Sequence, residues 1–269
     1  LTRAALLTVD GNAPGSIPPK VAEELKCPVE HVIVSSTHSH SAYLTGSNTT
    51  GRAAGGGQPQ GPSPLDDVAV KAVREAAARL QPARMSYGTG TAYLNVNRDV
   101  ISPQTRLWTQ DANPAGPSDK TVAVMKFETP AGEPVALWFN YAMHPVNLYQ
   151  SGLVSGDFPA AASRHIEQIY GDRMVAMFTQ GAQGDQNPLY LRASTAAMLE
   201  RQGLEYRGQP LVREPTEAEL REGRRQPVAL TPKAAEAVNK VVEAQGIILA
   251  EEVLRDLDDQ VDLTRVVLD

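Results

Sequence analysis

The segment Thr37-His38-Ser39-His40-Ser41 carries two imidazoles two residues apart. In extended chain such residues point to one face, so His38 and His40 could act on one ligand or metal. A third imidazole, His144, lies ahead of Pro145 in a separate segment. Zinc catalysis typically uses three protein ligands and leaves a position open for water. A surface His-x-His pair is common without a metal, so spacing alone decides little. Three of the five histidines sit in such clusters, and that favours a metal site. His31 and His165 lie outside them and are assigned to structure. The single cysteine, Cys27, excludes a Cys-rich zinc site, so any metal here must use His and carboxylates. Two further features accompany the histidines. Gly181-Ala182-Gln183-Gly184-Asp185 is a turn whose glycines could let backbone N–H groups approach a developing oxyanion, or an ordinary strand-to-helix turn. Asp157 could cap the helix that follows it or orient a metal-bound histidine from behind.

The elements that must position these groups are strands. His31 to Ser36 is rich in Val and Ile and runs into the Thr37–Ser41 segment. Val135 to Tyr141 runs into His144-Pro145, and the apolar run Met174 to Phe178, read as a strand buried on both faces, runs into Thr179–Pro188. In open α/β sheets ligands bind outside the carboxyl ends of the strands, so these three clusters converge if the strands are parallel neighbours. Around them the pattern predicts a strand over Arg3 to Val9, a helix near Pro18 to Leu25, and strands at Met85 to Val96 and Val122 to Phe127. Ser63-Pro64-Leu65-Asp66 opens a helix with an apolar stripe at Leu65, Val68, Ala72, Ala76 and Leu80. Gly156-Asp157-Phe158-Pro159 leads into a helix over Ala160 to Tyr170. A last helix starts at Thr231-Pro232 and carries Val238, Val242, Leu249 and Val253 on one side. Gly246 inside it costs roughly 1 kcal/mol relative to Ala. The fold class expected is α/β: a mixed β-sheet flanked by helices, with the chemistry at strand ends. Residues 43–63 form a long polar Gly/Pro-rich loop that could act as a lid or substrate rim, and 192–230 is charged and weakly patterned. With no repeats and no second clear core, residues 1–269 are read as one catalytic domain.

The chain has 269 residues and a formal net charge of -6, which argues against a nucleic-acid partner. No apolar run approaches the ~18 residues of a membrane span. The opening Ala4-Ala5-Leu6-Leu7-Thr8-Val9 reads as a buried strand rather than a leader, so the natural N-terminus is expected upstream.

At the same residues the sequence resembles a known family. Thr37-His38-Ser39-His40-Ser41 is similar to the Thr-His-Thr-His-Ser signature of the neutral/alkaline non-lysosomal ceramidases. Asn97-Arg98, Asn140-Tyr141-Ala142-Met143-His144-Pro145, Ser155-Gly156-Asp157-Phe158-Pro159 and the loop Phe178 to Pro188 resemble further elements of that family, in the same order. Leu249-Ala250-Glu251-Glu252-Val253 looks like a weaker later match. The family cleaves the amide of ceramide with one zinc ion. The resemblance therefore implies a zinc-dependent hydrolase of a carbon–nitrogen bond acting on an N-acyl lipid or related small-molecule amide, in sphingolipid metabolism and in a secreted or periplasmic setting. It implies His38 and His144 as zinc ligands, His40 beside the reacting water, and Arg98, Asp185 and Asn187 lining the catalytic site.

Two departures bear on mechanism. Ceramidases carry Gly-Asp-Val-Ser-Pro-Asn, whereas Gly184-Asp185-Gln186-Asn187-Pro188 places Asn187 where that serine stands. An amide cannot do the proton-transfer work of a hydroxyl, though it can hydrogen-bond an oxyanion; a water-only mechanism follows, and the ceramide substrate itself comes into question. The family's remaining zinc ligands, a Glu in a Pro-Gly-Glu motif and a later Tyr, lie beyond this stretch, and the family also begins upstream of Leu1, so the resemblance implies a chain incomplete at both ends. Rival readings are a hydrolase of another amide or ester on the same scaffold, or a non-catalytic binding module.

Overall fold

A computed structural model describes residues 3–42, 63–103, 105–148, 153–191, 232–257 and 261–262. The expected 43–63 loop, apart from its last residue, and the expected 192–230 segment lie outside the described residues.

The architecture is the expected α/β arrangement, divided among three sheets. β1 (Ala5–Val9) and β2 (Val32–Ser36) pair in parallel, Val9 opposite Ser36. α1 (Ile17–Leu25) connects them, and α2 (Pro64–Ala77) packs beside it. Ile17, Val21 and Leu25 of α1, Ala69 and Val73 of α2, and Val32 form one apolar core. β3 (Arg84–Thr91), β6 (Thr121–Glu128), β7 (Pro134–Tyr141), β8 (Val175–Gln180) and the short β10 (Val261–Asp262) make a five-stranded sheet in the order β10-β3-β6-β7-β8. β4 (Asn95–Ile101), β5 (Trp108–Asn113) and β9 (Gln186–Pro188) make the third, in the order β5-β4-β9.

The period of two along β6 and β7 explains the main core. Val122, Val124, Leu137, Phe139 and Tyr141 point to one face, where α3 (Asp157–Ile169) and α4 (Pro232–Asp256) cover them with Phe158, Ile166, Leu249 and Val253. The helices approach closely at Gly246, where a Cβ would collide with Ala161 and the backbone of Ala162. The residue that costs helix propensity is thus the one the α3–α4 packing requires.

Three expectations need correction. β8 is not buried on both faces: Ala176 and Phe178 are buried, but Val175 is exposed, as is Ile33 on β2; among the described residues α3 packs on β8 and α1 on β2. The stripe of α2 is rotated. Val68, Ala72, Ala76 and Leu80 face solvent, while Asp66, Ala69 and Val73 are buried. The face that packs is a second apolar row at i, i+4 spacing, Leu65, Ala69, Val73 and Ala77, set against the core of α1 and Val32. Asp66 is buried with it and is satisfied there: it accepts from Ser63 N–H, receives Ser16 Oγ–H at 2.7 Å and pairs with Lys20 at 2.8 Å. Finally, Met85 to Val96 is not one strand; β3 ends at Thr91 and β4 starts in another sheet at Asn95. The turn between them is held by Tyr141, whose hydroxyl donates to Ala92 O and accepts from Leu94 and Asn95 N–H.

What matters for the site is direction. β7 and β8 are parallel with Tyr141 opposite Gln180, so their carboxyl ends coincide. β1 and β2 lie along the free edge of β8, tied by Thr8 Oγ1–H to Phe178 O (2.9 Å) and Gln180 N–H to Ser35 Oγ (3.3 Å). The loops after Val9, Ser36, Tyr141 and Gln180 therefore emerge at the same end.

Candidate metal and active site

The convergence expected from the sequence is realised. The imidazoles of His38, His40 and His144 each offer a nitrogen, and these nitrogens all lie within 4.8 Å of one another. Ring centroids are 5.0 Å apart for His38–His40, 5.1 Å for His38–His144 and 5.5 Å for His40–His144.

They do not meet by the extended-chain geometry expected for His-x-His. His38 has φ 63, in the left-handed region that a residue with a Cβ rarely adopts. Such a conformation costs of order 1–3 kcal/mol and persists only where the surroundings enforce it. Thr37 supplies much of that enforcement. Its hydroxyl donates to Asp10 (2.7 Å) and accepts from the N–H groups of Gly11 (2.9 Å) and Ser39 (3.3 Å). His38 N–H donates to Gly11 O at 3.0 Å. Gly11 itself sits at φ 86, with Ala42 Cβ 2.7 Å from where its own Cβ would be, so the Asp10-Gly11 step has to be glycine. Downstream, Ser39 Oγ–H donates to Ser155 O and Ser155 N–H to Ser41 O. His40 N–H donates to Pro145 O at 3.1 Å, joining the two histidine loops directly.

His144 is buried and held from two sides. Its backbone N–H donates to Gln186 O (2.9 Å), and its Nδ1 lies 2.6 Å from Gln183 O. A carbonyl can only accept, so Nδ1 carries the proton and Nε2 is left with its lone pair for a metal. This is the orientation by an outer carbonyl that metal-binding histidines usually show.

The site's electrostatics favour neutral imidazoles. Burial pushes His144 down to about 3, helped by the nearby Arg98 cation and the other two rings. His40 is exposed at the surface, yet the protein around it, His38 and Arg98 lower it to about 4. His38 is lowered by burial and by Arg98. Neutral imidazole is the ligating form, so this donor set fits a zinc ion at neutral pH.

Arg98 reaches the site from the β5-β4-β9 sheet. The β4–β5 register slips between Asn97 and Asp99, so Arg98 sits at a bulge, a device that re-aims a side chain. β9 runs antiparallel to β4, Val96 opposite Asn187, and Arg98 Nη1 donates to Asn187 Oδ1 at 3.2 Å. Asp185 has a bracing place: its carboxylate accepts from Asn97 Nδ2 and Gln186 Nε2, both at 2.8 Å, and its carbonyl accepts from Arg98 N–H. In the glycine turn, Gly181 N–H is committed to Tyr141 O, whereas Gly184 has open space around it.

The sequence offers Asp157 as a helix cap or as a group orienting a metal-bound histidine; the partners of its carboxylate are Asn147, Leu148 and Phe158, a third arrangement that holds a loop. It begins α3 at φ 52 and is buried; it accepts from Asn147 N–H (2.9 Å), Asn147 Nδ2 (2.8 Å) and Phe158 N–H. It therefore fixes the loop that follows His144-Pro145. His31 contacts Arg3 O and His165 pairs with Glu251 at 2.8 Å, both structural partners.

Sequence reading missed Asp10-Gly11 as the support of His38 and Gln183 as that of His144. It also missed Gln180, whose Nε2 donates to Thr37 O and Met143 O. A glycine after the strand-ending Asp10 was the one available signal.

An α/β protein with three imidazoles and an arginine gathered at parallel strand ends is the class these observations define. Residues 21–202 match the family model described as neutral/alkaline non-lysosomal ceramidase, N-terminal, and the chain belongs to that family. Two solved structures share its fold. One is neutral ceramidase from Pseudomonas aeruginosa, with TM-score 0.56 and 17% identity over 93% of this chain. The other is a ceramidase complexed with C2, with TM-score 0.57 and 18% identity over the same share. This chain spans 36% of the length of each. No curated protein matches it by sequence. Among the described residues no helix is long and apolar enough to cross a membrane.

Proposed function

We propose that this chain carries the histidine side of a zinc-dependent hydrolase that cleaves the carbon–nitrogen bond of an N-acyl lipid or related amide, and that residues 1–269 belong to one catalytic domain. The observation behind this reading is the convergence of three neutral imidazoles, within 4.8 Å, beside the guanidinium of Arg98. His38 and His144 would hold the ion, the latter through the Nε2 lone pair that its Nδ1–H bond leaves free. Zinc bound there would supply a Lewis acid for a carbonyl and would bring the pKa of a water from ~15.7 to about 7. His40, neutral at working pH, accepts a hydrogen bond from the attacking water and orients it. Arg98 places positive charge where negative charge develops on the carbonyl oxygen. Asn187 turns its Oδ1 to Arg98, which leaves its Nδ2 N–H groups as donors towards that oxygen. The Gly184 turn is a further candidate donor. Asp185 keeps β4 and β9 in register beneath Arg98.

Asn187 also favours a second reading within the same chemistry. With an amide where ceramidases carry a serine hydroxyl, a different amide or an ester becomes the preferred substrate. The test is hydrolysis of a panel of acyl amides and esters, ceramide included, by the full-length protein before and after chelation and zinc return. Activity that survives complete zinc removal sinks the proposal, and the panel ranks the substrates.

A further inference from the structure

Gln180 is the last residue of β8 and carries no ligand atom of the histidine cluster. Its side-chain amide nevertheless bonds to both histidine loops. Nε2 donates to Thr37 O at 3.0 Å and to Met143 O at 3.1 Å. Those carbonyls belong to the peptide units that enter His38 and His144. The N–H at the other end of each unit is also bound, His38 N–H to Gly11 O (3.0 Å) and His144 N–H to Gln186 O (2.9 Å). A peptide unit is planar, so holding its C=O and its N–H fixes its rotation. For His38 that rotation sets the strained φ of 63. Gln180 thus spends both hydrogens of one amide on the two peptides from which these imidazoles hang.

The assignment of nitrogen and oxygen follows from the network. Both neighbours are carbonyls, so only the NH2 end can face them. The consequence is that Gln180 Oε1 is buried with no hydrogen-bond partner among the described residues. A buried unsatisfied acceptor is unfavourable. A side chain chosen for packing alone would avoid that cost; one chosen to donate twice cannot.

We propose that Gln180 is a positioning residue for metal binding, setting the spacing of His38 and His144 through their backbones; this rests on the metal-site reading above. The expectation is that outer partners of this kind matter about 10–100-fold in metal affinity.

The test measures zinc affinity of the full-length protein by competition with a chromophoric chelator, with the visible spectrum of the Co2+ form as a report of ligand geometry. Gln180→Met keeps the length and removes both donors. Gln180→Asn keeps the amide but is one methylene too short to span both carbonyls, and it serves if the first variant does not fold. Thr8→Val is the control, since it removes a hydrogen bond to β8 at Phe178 O without touching either histidine loop. Support is zinc affinity lowered about 10–100-fold and a changed Co2+ spectrum in a folded Gln180 variant, with Thr8→Val like wild type. Wild-type affinity and spectrum in either folded Gln180 variant overturns the positioning role while the metal site stands. Equal losses in Thr8→Val also overturn it, since loosening of β8 then explains the effect. Wild-type protein that binds zinc no better than a His38→Ala/His144→Ala double variant overturns the metal reading itself, and this proposal with it.

Discussion

The site has two halves built in different ways. On the histidine side, four parallel strand ends deliver the loops, and several hydrogen bonds, each with a backbone group at one end, fix the approach to the rings: Gly11, Thr37, Pro145, Gln180, Gln183 and Gln186 all contribute. On the arginine side, a three-stranded sheet with a bulge delivers Arg98, and one side-chain contact of 3.2 Å joins it to Asn187. The outer strand of that sheet exposes Trp108, and β4 exposes Ile101. The first half is over-determined and can sustain a strained residue; in the second, Asp185 fixes the Arg98 backbone, and the adjustable part is the long Arg98 side chain. Metal ligands need fixed spacing, because coordination tolerates little error. A group that answers to charge acts over a longer range and tolerates more. The difference in construction thus matches the difference between the two proposed tasks.

The sharpest way to break this contrast is to remove a ring. His144→Ala is expected to lower zinc affinity by more than about 100-fold, beyond what outer partners cost. Equilibrium dialysis with metal analysis decides it. Arg98→Met should leave zinc bound and lower kcat by about 10²–10³-fold, the cost of losing one oxyanion-stabilising group. Metal loss in Arg98→Met would show that the two halves are not separable.

Arg98→Met also carries a pH signature. Free His ionises near 6.5, whereas folded His40 and His144 sit at about 4 and about 3. As pH falls below 6.5 the unfolded chain takes up protons that the folded chain refuses. The stability contributed by neutral rings is therefore complete above pH 6.5 and is lost as pH falls through 6.5 towards 4 and then 3. Removing the Arg98 cation raises the folded values and narrows that window. Denaturant titrations of metal-free wild type and Arg98→Met between pH 4 and 7 should show the shallower slope in the variant.

The two halves also differ in how far the sequence discloses them. β1, β2, β7 and β8 are apolar runs that stop at polar clusters, and three histidines among five sit at or just past such stops. Hydrophobic periodicity reports burial, and each of these strands packs residues of one face against a core. β5 is Trp108-Thr-Gln-Asp-Ala-Asn113, mostly exposed, and β9 is three residues long, so neither leaves a periodic mark. The bulge at Arg98 is a register between two strands, which no local pattern encodes. The same limit hid Gln180: its partners Thr37 and Met143 lie 143 and 37 residues away. The rotated face of α2 failed for another reason. The helix carries two apolar rows, and the one that packs, Leu65, Ala69, Val73 and Ala77, lies beside an Asp66 whose satisfaction by Lys20 and Ser16 is visible only in space.

A moderate effect tests the rigid half from below. Thr37→Val keeps the shape but removes the hydroxyl that serves Asp10, Gly11 and Ser39. Two buried N–H donors lose their acceptor, at about 1–3 kcal/mol each when unsatisfied. The strained φ of His38 then has less to hold it, so zinc affinity should fall about 10-fold, near the lower bound for outer partners, together with a lower Tm. A lower Tm with unchanged affinity would mean that Gly11 O and Gln180 Nε2 hold the His38 peptide without the Thr37 hydroxyl.

The smallest expected effect probes the adjustable half. Asn187→Ser restores the hydroxyl of the ceramidase pattern and removes the amide that accepts from Arg98. One hydrogen bond of ordinary net value, about 1 kcal/mol, corresponds to roughly a fivefold change. The variant should bind zinc like wild type, lose about that factor in kcat/KM on the best acyl amide of the panel, and leave Arg98 in place because the β4–β9 pairing does not involve the side chain. A large gain on ceramide instead would show that the serine hydroxyl works in this site as it stands. Asn187 would then be a substrate-selecting change on otherwise unaltered machinery, and the arginine side would be the half of the site where specificity is set.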